Sequence, residues 1–256
     1  MSMMESSNPA LSPSVFEGAM SGARSATMTI SGTVNRAMIL TGLCAATAMA
    51  SYGWMESNLA VVMPAVWISM IGGLVLGLAM RFKPETSPFL APVYALAEGV
   101  FVGAASLVYA MYATKVSRFT GGEIIMQASV LTFGTLFAML MLYRAGWVRA
   151  SGTFKKVMMI AGIGVCLFCA STWLLPLAGV NMGFVYDGGP IAIAISVVFL
   201  LYGAFRLVID FDRVEQGVDA GAPKYMEWYC GFGLLVTLVW LYLEFLRLLS
   251  MLNRRD

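Results

Sequence analysis

The amino-acid sequence predicts an all-α fold, a polytopic membrane protein built as one bundle of seven transmembrane helices. Its composition is the first indication, because 59% of the 256 residues are hydrophobic and only 12% are charged. Soluble domains carry roughly 25% charged residues. The second indication is the pattern, since seven apolar stretches each approach the about 20 residues that a helix needs to cross a bilayer.

The seven apolar stretches follow one another along the chain with short polar connections. They cover approximately 36–55, 58–80, 89–112, 124–143, 157–178, 190–210 and 230–252. Because the connections are short, residues 35–253 are predicted to form one transmembrane domain. Residues 1–34 are polar and rich in Ser, Pro and Gly, without the layout of a secretory signal. They are predicted to be a loosely ordered N-terminal tail.

The distribution of Lys and Arg favours a cytoplasmic N-terminus. The tail and the connections after spans 2, 4 and 6 hold ten Lys and Arg residues, whereas the other side holds four. Short cytoplasmic loops carry an excess of these residues. The C-terminus is therefore expected on the exterior side.

Several classes of function are disfavoured by the residues that are present. The chain has no His, the commonest general base and zinc ligand, and no serine lies in a GxSxG setting. Cys166 and Cys169 form a CxxC inside an apolar span, where free cysteines pack as small hydrophobes. The net charge of +2 does not indicate nucleic-acid binding. We therefore expect neither enzymatic activity nor a cofactor.

Ionisable side chains inside the predicted spans are the functional candidates, because such groups are costly in lipid. They are Glu98 in span 3, Arg206 and Asp210 in span 6, Asp212 at its end, and Glu244 and Arg247 in span 7.

The two acids of span 6 differ in their surroundings. Arg206 precedes Asp210 by four residues, so the two are neighbours on one helix face. An ion pair is therefore a sufficient structural account of Asp210. Asp212 lies about 200° around the helix from Asp210, so both side chains cannot point into one cavity of an unbroken helix.

The other two acids each leave alternatives open. Glu244 precedes Arg247 by three residues and either pairs with it or titrates as a buried carboxylate. Glu98 has no basic neighbour in sequence. It is expected to be protonated, to face a wet cavity, or to meet a base such as Arg206 from another helix.

The end of the chain resembles the Bax inhibitor-1 (transmembrane Bax inhibitor motif) family. Phe211-Asp212 is similar to an aromatic-Asp pair that ends the family's sixth helix, and LYLEFLRLL in span 7 is similar to its LYLDF-like segment. YALAEGVFVGAASLVYA resembles the third helix. The likeness covers most of residues 35–252 and looks like a bacterial branch, which implies the inner (plasma) membrane.

The resemblance implies a bundle with helix 7 near the centre and a function as a pH-sensitive calcium leak. A carboxylate pair between helices 6 and 7 would be the gate and a calcium site. By position this pair is Asp212 and Glu244, with Asp210 as the alternative acid of span 6. Two carboxylates in a space of low dielectric share a proton, and losing it would leave oxygen ligands suited to calcium.

The resemblance also implies a supporting basic residue, and this sequence departs from the family's pattern in two ways. By the resemblance, Arg81 at the cytoplasmic end of helix 2 would latch the carboxylate pair. Glu98 and Arg206, as ionisable residues inside the spans, are further candidates for a latch or supporting role. The second acid is Glu in place of Asp. The separation from Asp212 to Glu244 exceeds the family's usual spacing by about two helical turns, which predicts an insertion near PKYMEWYCGFG.

A function of a different class stays open. The family resemblance also suggests a regulatory membrane protein that modulates a membrane protease or stress signalling through contacts with a membrane-protein partner. A proton-coupled transporter is less favoured, because the sequence shows neither paired broken helices nor an internal repeat.

Overall fold

The structure of the protein, a computed structural model, describes residues 27–116, 120–185 and 187–253. Over these ranges the chain forms seven long helices: α1 (Ile30–Glu56), α2 (Val62–Phe82), α3 (Ser87–Val116), α4 (Gly121–Arg144), α5 (Gly152–Leu174), α6 (Pro190–Asp219) and α7 (Met226–Leu252). All seven are long and apolar enough to cross a membrane. The predicted all-α, seven-helix fold is confirmed.

Polar side chains at the helix starts explain where several helices begin. The Thr29 hydroxyl accepts a hydrogen bond from the Gly32 amide at the start of α1, and Ser151 caps α5 in the same way. Thr120 and Glu123 form a capping box at the start of α4. These contacts satisfy amide groups that have no partner within the helix.

The helices α6 and α7 both extend beyond their predicted spans. α6 continues to Asp219, although its predicted span ended at residue 210, because a polar segment can stay helical outside the hydrocarbon. α7 begins at Met226, so most of the segment PKYMEWYCGFG forms its first turns. Asp212 therefore lies within a helix and not at its end.

The residues directly before α1 are packed against the connection between α6 and α7. The Met28 amide donates a hydrogen bond of 2.8 Å to the carbonyl of Ala222, and Thr27 forms an isolated antiparallel bridge with Pro223. Only 2% of Met28 is exposed. The packed part of the chain thus begins before residue 35, and residues 1–26 of the predicted tail lie outside the described residues.

α7 is the central helix of the bundle, as predicted. It packs against α1, α3, α4 and α6, whereas α2 packs mainly on α3 and α5 mainly on α6. Different faces of α7 meet different neighbours. Leu235 and Val239 belong to the core with α1 and α3, and Leu234 and Leu241 to the core with α4 and α6.

Glycines on α3 let α1 approach closely. A Cβ atom on Gly99 would lie 2.5 Å from the carbonyl oxygen of Cys44, and one on Gly103 would lie 2.6 Å from that of Ala48. Small residues permit such close backbone packing in lipid. The small residues of the EGVFVGAAS segment therefore allow α3 to pack closely on α1, as their pattern predicts.

Candidate functional site at the α6–α7 interface

α6 and α7 face each other through two stripes of residues spaced three or four apart. The stripes comprise Ser196, Phe199, Gly203, Leu207 and Asp210 on α6, and Thr237, Leu241 and Glu244 on α7; all eight are buried. This spacing places each set on one side of its helix. The interface therefore contains two acids within an otherwise largely apolar contact.

Asp210 is held from both helices. The Thr237 hydroxyl on α7 donates a hydrogen bond of 2.6 Å to Oδ2 of Asp210. Nε of Arg206, one turn earlier on α6, lies 3.5 Å from Oδ1. The predicted Arg206–Asp210 ion pair is present, but the acid also contacts α7. Its position is about 13 Å from the end of α6.

Glu244 lies further along α7 in a separate setting. Oε1 is 3.5 Å from Nη1 of Arg247, and the Arg247 Nη2 group donates a hydrogen bond of 2.8 Å to the carbonyl of Val185. Ser196 on α6 lies beside the Glu244 carboxylate. The pair of Glu244 and Arg247 therefore joins α7 to the connection between α5 and α6.

An apolar layer separates Asp210 from Glu244. Asp210 is level with Thr237, and Glu244 follows Thr237 by seven residues, which is about 10 Å along a helix. Leu207 and Leu241 lie between these levels, and both are fully buried. A Cβ atom on Gly203 would come within 2.8 Å of Cδ2 of Leu241, so the glycine lets this leucine fill the layer.

Asp212 does not face α7. Its Oδ2 atom lies 2.5 Å from Nζ of Lys155 on α5 and accepts a hydrogen bond from Gln216. The helical angle between Asp210 and Asp212 turns the second acid away from the interface. The structure therefore does not bring Asp212 to Glu244, although the sequence had predicted this pairing. Asp210 is the α6 acid that faces α7.

The α7 residue that faces the α6 acid lies well before Glu244 in the chain. α6 and α7 run antiparallel, and the hydrogen bond between Thr237 and Asp210 shows that these two residues lie opposite each other. Thr237 lies seven residues, about two helical turns, before Glu244. Within the described ranges, no three Cys, Asp or Glu side chains form a cluster that could hold a metal ion.

The predicted supporting residues lie apart from this interface, with one exception. Arg81 is exposed in the last turn of α2, and α2 packs on α3 rather than on α6. Glu98 is half-buried against α2, where a Cβ atom on Gly73 would lie 3.3 Å from its Oε2. Arg206 pairs with Asp210 and not with Glu98. The structure thus brings neither Arg81 nor Glu98 to the α6–α7 acids.

Sequence reasoning missed Glu227 in the first turn of α7, the most deeply buried acid among the described residues. It is fully buried, and its Oε1 accepts hydrogen bonds of 3.0 Å from the Thr29 amide and hydroxyl. Nζ of Lys224 lies 2.8 Å from the same oxygen. An acid near a helix N-terminus is a recognisable signal. Its partner Thr29 is 198 residues away, so the sequence does not reveal the contact.

Lys155, the partner of Asp212, was also missed, because it lies outside the predicted spans, in a connection rich in basic residues.

Arg36 on α1 is a further basic residue near Glu227, with its Nε 4.0 Å from Oε2. The Arg36 guanidinium also lies 4.6 Å from the centre of the Trp228 ring, a cation–π distance. These contacts connect the starts of α1 and α7 on the face of the bundle where α6 ends.

Seven apolar helices, six of them arranged around a central α7, define a multi-pass integral membrane protein. A family model described as Bax inhibitor 1 like matches residues 8–254, nearly the whole chain. The protein belongs to this Bax inhibitor-1 family. No curated protein and no solved structure gives a significant match to the chain.

Proposed function

We propose that the protein is a pH-sensitive calcium leak whose gate is the contact between α6 and α7. The observation that carries the proposal is the placement of two buried acids, Asp210 and Glu244, on facing stripes with an apolar layer between them. Ionisable groups inside membrane spans that face the bundle interior mark ion pathways. The proposal requires no catalytic group and no cofactor, with calcium as the permeant ion.

The closed state follows from the leucine layer. Leu207 and Leu241 are fully buried, and hydrophobic constrictions stop ions by excluding water. A small separation of α6 from α7 at Gly203 would admit water between the two acids. Each carboxylate would then offer oxygen ligands of the kind that calcium prefers.

The direction of the pH dependence follows from the charge of the two acids. An ionised Asp210 attracts a cation and accepts the Thr237 hydrogen bond, whereas a protonated one has lost its negative charge. Protonation also removes its attraction to Arg206. We therefore expect calcium flux to fall as the pH is lowered.

The orientation of the path is part of the same proposal. With the N-terminus in the cytoplasm of a bacterial cell, Asp210 lies in the cytoplasmic half of the membrane and Glu244 in the exterior half. The excess of Lys and Arg on the N-terminal side of the bundle supports this orientation.

Calcium flux into proteoliposomes tests the proposal. The protein is reconstituted with a calcium-sensitive dye trapped inside, and the initial rate of calcium entry is measured at acidic and neutral pH. We expect Asp210→Asn and Glu244→Gln each to lower the rate at neutral pH by roughly tenfold, equivalent to about 1.4 kcal/mol. Asp212→Asn is the matched control, because this acid pairs with Lys155 outside the interface.

The outcomes separate the leak from the alternatives. Loss of flux in Asp212→Asn, with normal flux in the other two variants, would move the gate to the α5–α6 contact. Unchanged flux in all three variants would overturn an acid-gated leak. The absence of flux from the folded wild-type protein would favour the regulatory role through a membrane-protein partner.

A further inference from the structure

A cavity of about 560 Å³ lies between α1, α3, α4 and α7. Its size falls within the range of about 300–1,000 Å³ that is typical of ligand sites. α7 supplies the inner wall through Leu235, Leu238, Val239 and Tyr242. These residues lie on the side of α7 that faces away from the α6 acids.

The cavity wall is apolar, and several of its hydroxyl groups are already hydrogen-bonded within the protein. The hydroxyls of Ser129 and Thr132 donate to carbonyls of their own helix, at 2.9 and 2.7 Å. Those of Ser106 and Tyr242 bond to each other at 2.8 Å. No charged residue is among the described residues that line the cavity. The wall therefore suits a hydrocarbon ligand better than an ion.

The mouth of the cavity opens sideways between α1 and α4. Met49 on α1 and Phe133 on α4 line the cavity and are 71% and 52% exposed. Phe133 lies twelve residues into α4, about 18 Å from its start, at a depth where the bilayer consists of hydrocarbon. α1 and α4 share no extended contact in the described residues. With the helices spanning the bilayer, the part of the mouth beside Met49 and Phe133 therefore faces lipid tails.

The cavity is not continuous with the proposed leak pathway, because the two lie on opposite faces of α7. Thr237, Leu241 and Glu244 face α6, and none of them lines the cavity. Asp210 does not line it either. The cavity thus has a chemistry and an opening of its own.

We propose that this cavity binds one acyl chain of a membrane phospholipid, which enters between α1 and α4 and lies against α7. An apolar space that opens into hydrocarbon excludes water, and the adjacent acyl chains are the available occupant. The headgroup stays outside, because the lining offers no charge to bind it. The bound chain fills the gap between α1 and α4 and joins both helices to α7. This inference does not depend on the leak.

Photocrosslinking in nanodiscs tests the site directly. The full-length protein is reconstituted with phosphatidylcholine that carries a diazirine in the middle of one acyl chain, irradiated, digested and mapped by mass spectrometry. Leu235, Leu238 and Val239 are the diagnostic targets, because each is at most 8% exposed and lies beyond the reach of lipid on the outer surface. We expect crosslinks on these α7 residues in addition to those on exposed faces.

Two pairs of variants provide matched controls. Ser129→Phe fills the cavity, whereas Thr135→Phe changes a residue of the same helix that does not line it; both hydroxyls bond to the carbonyl four residues earlier. Ala45→Trp narrows the mouth, whereas Ala46→Trp places the same side chain beside it. The second pair decides the question where Ser129→Phe fails to fold.

The expected result is a loss of α7 crosslinks in the cavity variants alone. We expect a roughly tenfold loss in Ser129→Phe and Ala45→Trp, because overpacking a site costs about as much as a tenfold change in affinity. Thr135→Phe and Ala46→Trp should keep the wild-type yield. Crosslinks confined to outward-facing residues, or equal α7 yields in the members of each pair, would overturn the proposal. Calcium flux in the same variants is a separate readout, so failure of the leak would leave this result interpretable.

Discussion

The Thr237 hydroxyl donates a hydrogen bond of 2.6 Å to Oδ2 of Asp210 and so joins the middle of α7 to α6. Asp210 also has the Arg206 guanidinium 3.5 Å away on its own helix. The acid is therefore shared between a base on α6 and a hydroxyl on α7. A movement of α6 relative to α7 must break or replace the Thr237 contact.

Thr237→Val removes this hydroxyl with little change of side-chain shape. We expect a loss of about 1–2 kcal/mol of stability, because the hydrogen bond is made to a carboxylate but interhelical bonds in membranes are weaker than expected. Thermal unfolding in micelles measures it. Thr135→Val is the control, since its hydroxyl bonds only to its own helix. An equal loss in both variants would contradict a specific role for the Asp210 contact.

Leu241→Ala tests the apolar layer between the two acids. Removing a fully buried leucine costs about 2–5 kcal/mol of stability and leaves space where the layer excludes water. We expect a lower unfolding temperature together with faster calcium entry into proteoliposomes.

Leu246→Ala is the matched control for the layer. Leu246 is also a fully buried leucine of α7, but it packs against Ile124 and Ala128 of α4. We expect a similar loss of stability and an unchanged flux. A rise of flux in both variants would show that general loosening of the bundle, not the α6–α7 layer, admits calcium.

Lys155→Met tests whether Asp212 has a role in the leak. The side chains of Lys155 and Asp212 are 37% and 18% exposed, and partly exposed ion pairs contribute about 0–1 kcal/mol. We therefore expect a small change in unfolding temperature and a normal calcium flux with normal pH dependence. If calcium flux lost its pH dependence in Lys155→Met, Asp212 would be assigned a role in gating the leak.

The sequence predicts the helices well but the site only in part. Hydropathy is a local property of the sequence, so it locates each membrane span. It detects only the apolar part of a helix, which lies inside the hydrocarbon, and not a polar extension beyond it. For this reason it ends α6 too early. The helical angle separates Asp210 from Asp212 without any structure, but it does not reveal which of them faces α7. A local likeness around Phe211 favoured Asp212, which the structure places against Lys155.

Contacts between distant parts of the chain account for what could not be predicted. The level of Asp210 relative to α7 depends on where the antiparallel helices align, and this alignment follows from packing around Gly203 and Leu241. Glu227 appears in sequence as a polar residue at a helix start. Its complete burial depends on Thr29 at the other end of the chain.

Gly99→Ala tests the close crossing of α1 and α3. A methyl group there would lie 2.5 Å from the backbone oxygen of Cys44, so the helices must move apart, and we expect a loss of about 1–3 kcal/mol. Gly53→Ala in α1 has no atom within 4 Å of the new methyl group and should be neutral or slightly stabilising. Thermal unfolding compares the two. Equal behaviour would show that the crossing tolerates a wider separation.

Gly32→Ala tests the junction between the starts of α1 and α7. The new methyl group would overlap the Glu227 carboxylate, which must then leave its position and release the Thr29 amide and hydroxyl. Because Met28 and Thr29 are held by this junction, we expect their amides to exchange hydrogen faster, with a modest fall in unfolding temperature. Gly42→Ala lies on the same helix without a neighbour within 4 Å and should leave both amides protected. Unchanged exchange in Gly32→Ala would mean that Glu227 does not hold the N-terminal segment against the bundle.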